Sequence, residues 1–206
     1  MYTRGSGYNF IVILLYVDDI IISGPNKNVI SDVISHLSFI FMLKNLGDLK
    51  YFLGLEVARS SKGIMLCQRH YTLQILEDEG FLDSKPIKTP MDPKSHLTLS
   101  DGILFDDATG YRRLIGRLLY LKITRPDITF AVNSLSQFVQ SPRQPHLRAA
   151  HHLLRYLKSN SGLGLFYPST SSTQLRAFSD ADWATCGDTR RSITGYCVFV
   201  GDSLVA

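Results

Sequence analysis

Residues 10–22 are apolar or aromatic throughout, except for Asp18 and Asp19. No other stretch of the chain excludes so many folds. A membrane-spanning helix needs about 20 mostly apolar residues, and carboxylates in mid-bilayer are costly. A buried helix fares no better, because an unpaired carboxylate in a core loses more solvation than its apolar neighbours gain. Two short runs rich in Ile, Val and Leu around an acidic pair read instead as strands joined by a tight turn. The expectation is no transmembrane segment. Nor does a signal peptide fit the first residues, since no small-residue cleavage site follows the apolar run.

The rest of the chain divides by periodicity. Val33, Ile34, Leu37 and Phe41 recur at helical spacing. After Gly47, residues 51–57 and 64–67 predict a second hairpin, turning through residues 60–63. Residues 71–81 predict a short helix closed by Gly80, and the Pro-rich, polar residues 84–110 read as a connector over a surface. The helical period then returns with Leu114, Ile115, Leu118, Leu119 and Leu121. It breaks at Pro126, resumes over residues 128–138, and resumes again after Pro142 and Pro145 with Leu153, Leu154 and Leu157. Residues 159–164 and 168–173 have linker composition. Residues 175–183 and 194–200 alternate as two strands, and 204–206 begin a third. Such an order gives an α+β fold class. Residues 111–158 are expected to be the most self-sufficient part.

Charge is unevenly spread. The 206 residues carry 22 Lys+Arg against 18 Asp+Glu, a net charge of +4. Residues 111–158 alone hold nine Lys/Arg and one acid, Asp127. Two readings stay open for this basic helical segment: a solvated amphipathic face, or cations that neutralise phosphates. Cys67, Cys186 and Cys197 form no CxxC pair, which argues against a disulfide framework or zinc site and for a reducing compartment. Whether Cys186 meets Cys197 is left unassigned. His151 and His152 are neighbours on a helix and do not face one another, so a surface or core position is expected rather than a metal site.

Asp18 and Asp19 allow two readings by themselves. They are a solvated turn, or a pair of oxygen donors suited to Mg²⁺. The full string Leu15-Tyr-Val-Asp-Asp-Ile20 resembles the Y-x-D-D palm motif of reverse transcriptases. Leu46-Gly-Asp-Leu-Lys-Tyr-Phe-Leu-Gly-Leu-Glu56 resembles the primer-grip region of the Ty1/copia class of retrotransposon polymerases. Thr124-Arg-Pro-Asp-Ile128, Arg155-Tyr-Leu-Lys158, Ser179-Asp-Ala-Asp-Trp-Ala184 and Arg190-Arg-Ser-Ile-Thr-Gly-Tyr196 are similar to later stretches of the same polyproteins, in the same order. The resemblance covers essentially the whole chain.

The resemblance implies a partial polymerase palm in residues 1–70, built of antiparallel hairpins and a helix. It implies thumb and connection helices in 71–160, and the first strands of a ribonuclease H-like domain in 161–206. Asp18 would then ligate the catalytic Mg²⁺ ions with Asp19 beside it, two metals clamping the attacking 3′-hydroxyl and the leaving oxygens. Phe52, Leu53 and Gly54 would lie in the hairpin that holds the primer end, with Gly54 letting another backbone approach closely. Arg112, Arg113 and Arg117 would contact the phosphates of an RNA or DNA primer-template. Asp180 would be the first metal-binding carboxylate of the ribonuclease H fold. Asp182, two residues on, points to the same face of a strand, and its share in that site stays open, as does a merely solvated edge. Trp183 is expected to pack rather than to stack on bases.

Both metal sites are expected to be incomplete in these residues, because the other palm aspartate and the further ribonuclease H acids are absent. The expected function is therefore a fragment of an RNA-directed DNA polymerase, inactive alone and completed by other parts of the polyprotein. A non-catalytic nucleic-acid-binding module and the product of a decayed transposon reading frame are the rivals. Two structural corollaries follow. The palm strands should keep an unpaired edge. The final strands should expose an apolar face carrying some of Tyr196, Val198 and Val200.

Overall fold

The computed structural model describes every residue except 96 and 185–187. The chain forms two compact units, Met1–Leu53 and Gly54–Ala206. Among the described residues the architecture mixes helices and antiparallel strands, in keeping with the α+β class.

In the first unit, β1 (Tyr2–Arg4), β2 (Ile11–Tyr16) and β3 (Asp19–Ser23) form one antiparallel sheet in that order. The β2–β3 hairpin follows from its β-branched residues, which suit a pleated surface. β1 covers part of one edge of the hairpin, with Tyr2 opposite Ile13 and Arg4 opposite Ile11, while the outer edge of β3 stays unpaired among the described residues, as expected. Gly5 and Gly7, at φ 80° and 55°, provide the left-handed conformations that turn β1 back onto β2. Helix α1 (Lys27–Phe41) starts at Asn26, whose side chain accepts the Asn28 N–H at 3.0 Å. None of its residues is buried, and Phe39, Ile40 and Phe41 at its end are 86%, 51% and 63% exposed. The unit ends with β4 (Tyr51–Phe52).

In the second unit, β5 (Leu55–Ser60) and β6 (Gly63–Cys67) form the expected hairpin, and β7 (Gly164–Pro168) joins β6 from the far side. Linker-like residues flank β7 on both sides and leave it without a local strand signal. Its partner lies about a hundred residues away, with Met65 opposite Phe166, beyond the reach of any local pattern. Helices α2 (Arg69–Asp78), α3 (Ala108–Leu121), α4 (Thr129–Ser136) and α5 (Gln144–Ser159) build the core. Leu114, Ile115, Leu118, Leu121, Leu153, Leu154 and Leu157 are essentially inaccessible. Leu119, counted with them by periodicity, is 39% exposed on the outer side of α3. A 3₁₀ turn at Pro126–Ile128 separates α3 from α4, where Pro126 denies the helix a backbone donor.

A last sheet runs β8 (Leu175–Ala181), β9 (Thr194–Val200), β10 (Ser203–Leu204), with β9 central. Every residue of β8 is exposed, and Tyr196 of β9 is 72% exposed. Val198 is only half-buried, and Val200 sits at 36% exposure. Phe178 crosses Phe199 edge to face at 6.2 Å. Trp183 runs against expectation: it is 92% exposed, because β8 ends at Ala181 and the chain leaves the sheet there.

Candidate active site and nucleic-acid interface

The β2–β3 register sets the acidic turn. Tyr16 pairs with Asp19, so Val17 and Asp18 form a two-residue loop. Val17 takes φ 51°, the left-handed region, which costs a β-branched residue about 1–3 kcal/mol. A positive φ at only the first loop position has the sign pattern of a II′ turn, whose twist matches the flanking strands. Asp18 and Asp19 are both exposed. Their carboxylates are hard oxygen donors of the kind Mg²⁺ takes, one or two at a time with water and phosphate oxygens filling the other positions. Among the described residues, no cluster of three His, Cys, Asp or Glu side chains is positioned to hold a metal.

Beside this turn stands an aromatic contact that the sequence did not announce. Tyr16 meets Phe52 edge to face, with ring centroids 6.4 Å apart and planes at 78°. Leu53 and Gly54 follow at φ 49° and 74°, two successive left-handed residues as in a type I′ turn. The turn itself therefore requires Gly54. Its nearest neighbour is the Tyr120 hydroxyl, 3.4 Å from where a Cβ would sit, a side chain rather than a second backbone. Tyr120 in turn crosses Tyr71 edge to face at 5.3 Å.

The basic helices use most of their cations internally. Arg117 pairs with Asp78 at 2.8 Å and lies 5.8 Å above the Tyr71 ring. Arg112 Nε donates to the Ala108 carbonyl of its own helix at 3.2 Å, and Lys122 Nζ donates to Asn133 at 2.7 Å. Arg143, Arg155 and Lys158 donate to connector carbonyls at Leu99, Gly102, Lys85 and Ser84. Arg125 is buried. Arg113, by contrast, projects from α3 into solvent. No composition count separates these roles, because periodicity shows which face a cation occupies but not which distant carbonyl meets it.

Asp180 and Asp182 part company. Asp180 is exposed on β8 opposite Gly195, whose lack of a side chain leaves the acid open. Asp182 Oδ1 instead accepts the Ile193 N–H at 2.7 Å and closes the hairpin. Asp18 and Asp19 lie in the first compact unit and Asp180 in the second. His151 packs against Phe81 at 4.7 Å, and burial depresses its pKa. His152 Nε2 meets the Thr89 carbonyl at 3.0 Å. Cys186 lies outside the described residues. Among those described, no helix is long and apolar enough to cross a membrane.

The family described as Reverse transcriptase (RNA-dependent DNA polymerase) matches residues 1–93. The chain is 41% identical over 195 residues to the Retrovirus-related Pol polyprotein from transposon RE1 of Arabidopsis thaliana, covering 95% of this chain and 13% of the polyprotein. It is 38% identical over 194 residues to an uncharacterised mitochondrial protein of the same plant, covering 94% of this chain and 80% of that protein. A Ty5-1 transposon protein of Saccharomyces cerevisiae is 31% identical over 207 residues, covering 100% of this chain and 67% of its own length. The chain thus spans about an eighth of the long polyprotein it matches and most of the shorter relatives. No solved structure matches it.

Proposed function

Since the chain belongs to the reverse transcriptases of Ty1/copia-type Pol polyproteins, we propose that it carries the acidic palm turn, the primer-grip hairpin, the thumb and connection helices, and the start of a ribonuclease H-like domain. The domain limits are those of residues 1–70, 71–160 and 161–206. The observation that supports this most directly is the Tyr16–Asp19 turn, with both carboxylates exposed and Phe52 against the ring of Tyr16. Asp18 and Asp19 would hold Mg²⁺, which when bound supplies the positive charge that stabilises an in-line phosphoryl displacement. Phe52, Leu53 and Gly54 would seat the primer end, and Arg112, Arg113 and Arg117 would meet the phosphates of an RNA or DNA primer-template. Asp180 would serve the ribonuclease H-like part, while Asp182 holds the β8–β9 turn.

Polymerisation needs a third acid at the turn, and none of the described residues brings one there. The 206 residues alone are therefore expected to give no primer extension. Mixing them with a polypeptide that carries the preceding palm of a Ty1/copia polymerase should restore extension, and Asp18→Asn should abolish it. Extension by the isolated chain, or restored extension indifferent to Asp18→Asn, overturns the reading.

A further inference from the structure

Residues 97–105 of the connector lie along the start of α5, and the N-terminal end of that helix holds them. Arg143 Nε donates to the Leu99 carbonyl and Nη1 to the Gly102 carbonyl, both at 2.6 Å. Gln144 N–H donates to Ile103 O, and Phe105 N–H donates to Pro142 O, each at 2.9 Å. Gly102 takes φ 78° and sits so close to Pro145 that a Cβ would fall 2.7 Å from its ring. One side chain holds both ends of this arrangement. His146 is fully buried and stacked on Phe138 at 3.8 Å. Its Nδ1 accepts the Arg143 N–H at 2.9 Å, and its Nε2 meets the Thr98 carbonyl at 3.0 Å.

Those two partners define the ring's state. A carbonyl only accepts, so Nε2 must carry the proton, and a backbone N–H only donates, so Nδ1 must be bare. His146 is therefore neutral in the closed arrangement, with both nitrogens satisfied. A second proton would set N–H against N–H across 2.9 Å and place a cation beside the Arg143 guanidinium. Among the described residues, the charged groups facing the ring are Arg143 at the head of α5, Asp101 on the connector and Asp188 on the turn after β8, with Phe138 stacked on it as an uncharged neighbour. The two aspartates ease the added charge but restore no acceptor to the Arg143 N–H.

We propose that His146 is a proton-operated latch, and that its protonation releases residues 97–105 from α5 while the helical core stays folded. Release also frees the Leu99 N–H from Asp188 Oδ2, to which it donates at 2.9 Å, and thus loosens the connector from the β8–β9 turn. Burial first, with the Arg143 charge adding to it, holds the His146 pKa below the ordinary histidine value against the opposing Thr98 bond and the two aspartates. The closed form is thus stabilised above the unfolded histidine range. That stabilisation is lost as pH falls toward the lower folded value.

Amide hydrogen exchange on the full chain tests the latch, with intrinsic rates divided out, between pH 7.5 and 5. Protection at Gln144 and Phe105 should fall below pH ~6.5 by a factor approaching tenfold per pH unit, as linkage to one proton requires. The Leu118 amide in α3 should keep its protection. His146→Gln offers a carboxamide oxygen to the Arg143 N–H and an N–H to Thr98 without titrating, so its protection should be flat across this range. Flat wild-type protection, an equally steep fall in His146→Gln, or Leu118 falling in step overturns the proposal. If His146→Gln does not fold, ring ¹⁵N shifts of the wild type decide instead: the Nε2–H tautomer at neutral pH supports the latch and the Nδ1–H tautomer overturns it.

Discussion

Arg125 and Asp127 are joined fork to fork two residues apart, Nε to Oδ1 at 2.9 Å and Nη2 to Oδ2 at 2.7 Å, with the arginine side chain only 1% exposed. Nη1 also donates to the Asn160 carbonyl at 2.8 Å, and the guanidinium lies 5.6 Å above the Tyr156 ring. The 3₁₀ turn after α3 is thereby tied to the end of α5. A lysine cannot reproduce a planar fork. Arg125→Lys keeps the charge but loses the fork and the Asn160 bond, and is expected to destabilise the helical core by about 1–3 kcal/mol, the cost of leaving buried hydrogen-bonding groups unsatisfied. Chemical denaturation followed by far-UV circular dichroism measures it.

The same pair sets an acid limb. Burial pushes the Asp127 pKa up, but the hydrogen bond and charge of Arg125, with the Tyr156 hydroxyl bond, outweigh it and hold the carboxyl below its usual range. A depressed carboxylate contributes stability above its unfolded pKa of about 3.9 and loses it as pH falls through the lower folded value. Unfolding free energy measured from pH 6 downward should drop more steeply below pH ~4 in wild type than in Asp127→Asn.

Leu118 and Leu119 are neighbours with opposite fates, 0% against 39% exposed. Leu118→Ala should cost about 2–5 kcal/mol through lost burial and the cavity left behind. Leu119→Ala should stay within about 0.5 kcal/mol of wild type, as surface changes do. Equal losses in paired denaturation curves would contradict the packing described for α3.

Val17 holds a left-handed backbone at the acidic turn. Glycine adopts that conformation without the Cβ penalty. Val17→Gly should therefore stabilise the β2–β3 hairpin by about 1 kcal/mol. Amide protection at Leu14 and Ile21, the next hydrogen-bonded pair of the hairpin beyond the turn-closing one, should rise; a fall would show that the strain is not there.

Arg113 and Arg117 are one helical turn apart on α3, yet Arg117 is committed to Asp78. If the helix meets nucleic acid as proposed, Arg113→Glu should weaken binding to a primer-template uniformly across sequences. It should also lower the slope of log affinity against log salt by about one. Arg117→Ala should show mainly a loss of stability. Fluorescence anisotropy at several salt concentrations separates the two.

Much of this protein was written locally. The acid-tipped hairpin, the helices around Leu114, Leu118 and Leu154, and the turn at residues 60–63 all rest on interactions spanning a few residues, where period and turn chemistry act directly. The ordered motifs carried the family for the same reason. What depended on distant parts of the chain was hidden: β7 beside β6, β1 over the edge of β2, Tyr16 against Phe52, and the exposure of Trp183. The basic helices show the division most sharply. Composition revealed nine cations in one segment, but only tertiary structure decided that Arg143, Arg155 and Lys158 would spend theirs on connector carbonyls. A hydrogen bond is directional and reaches about 3 Å, so which donor meets which acceptor depends on how the chain comes back upon itself.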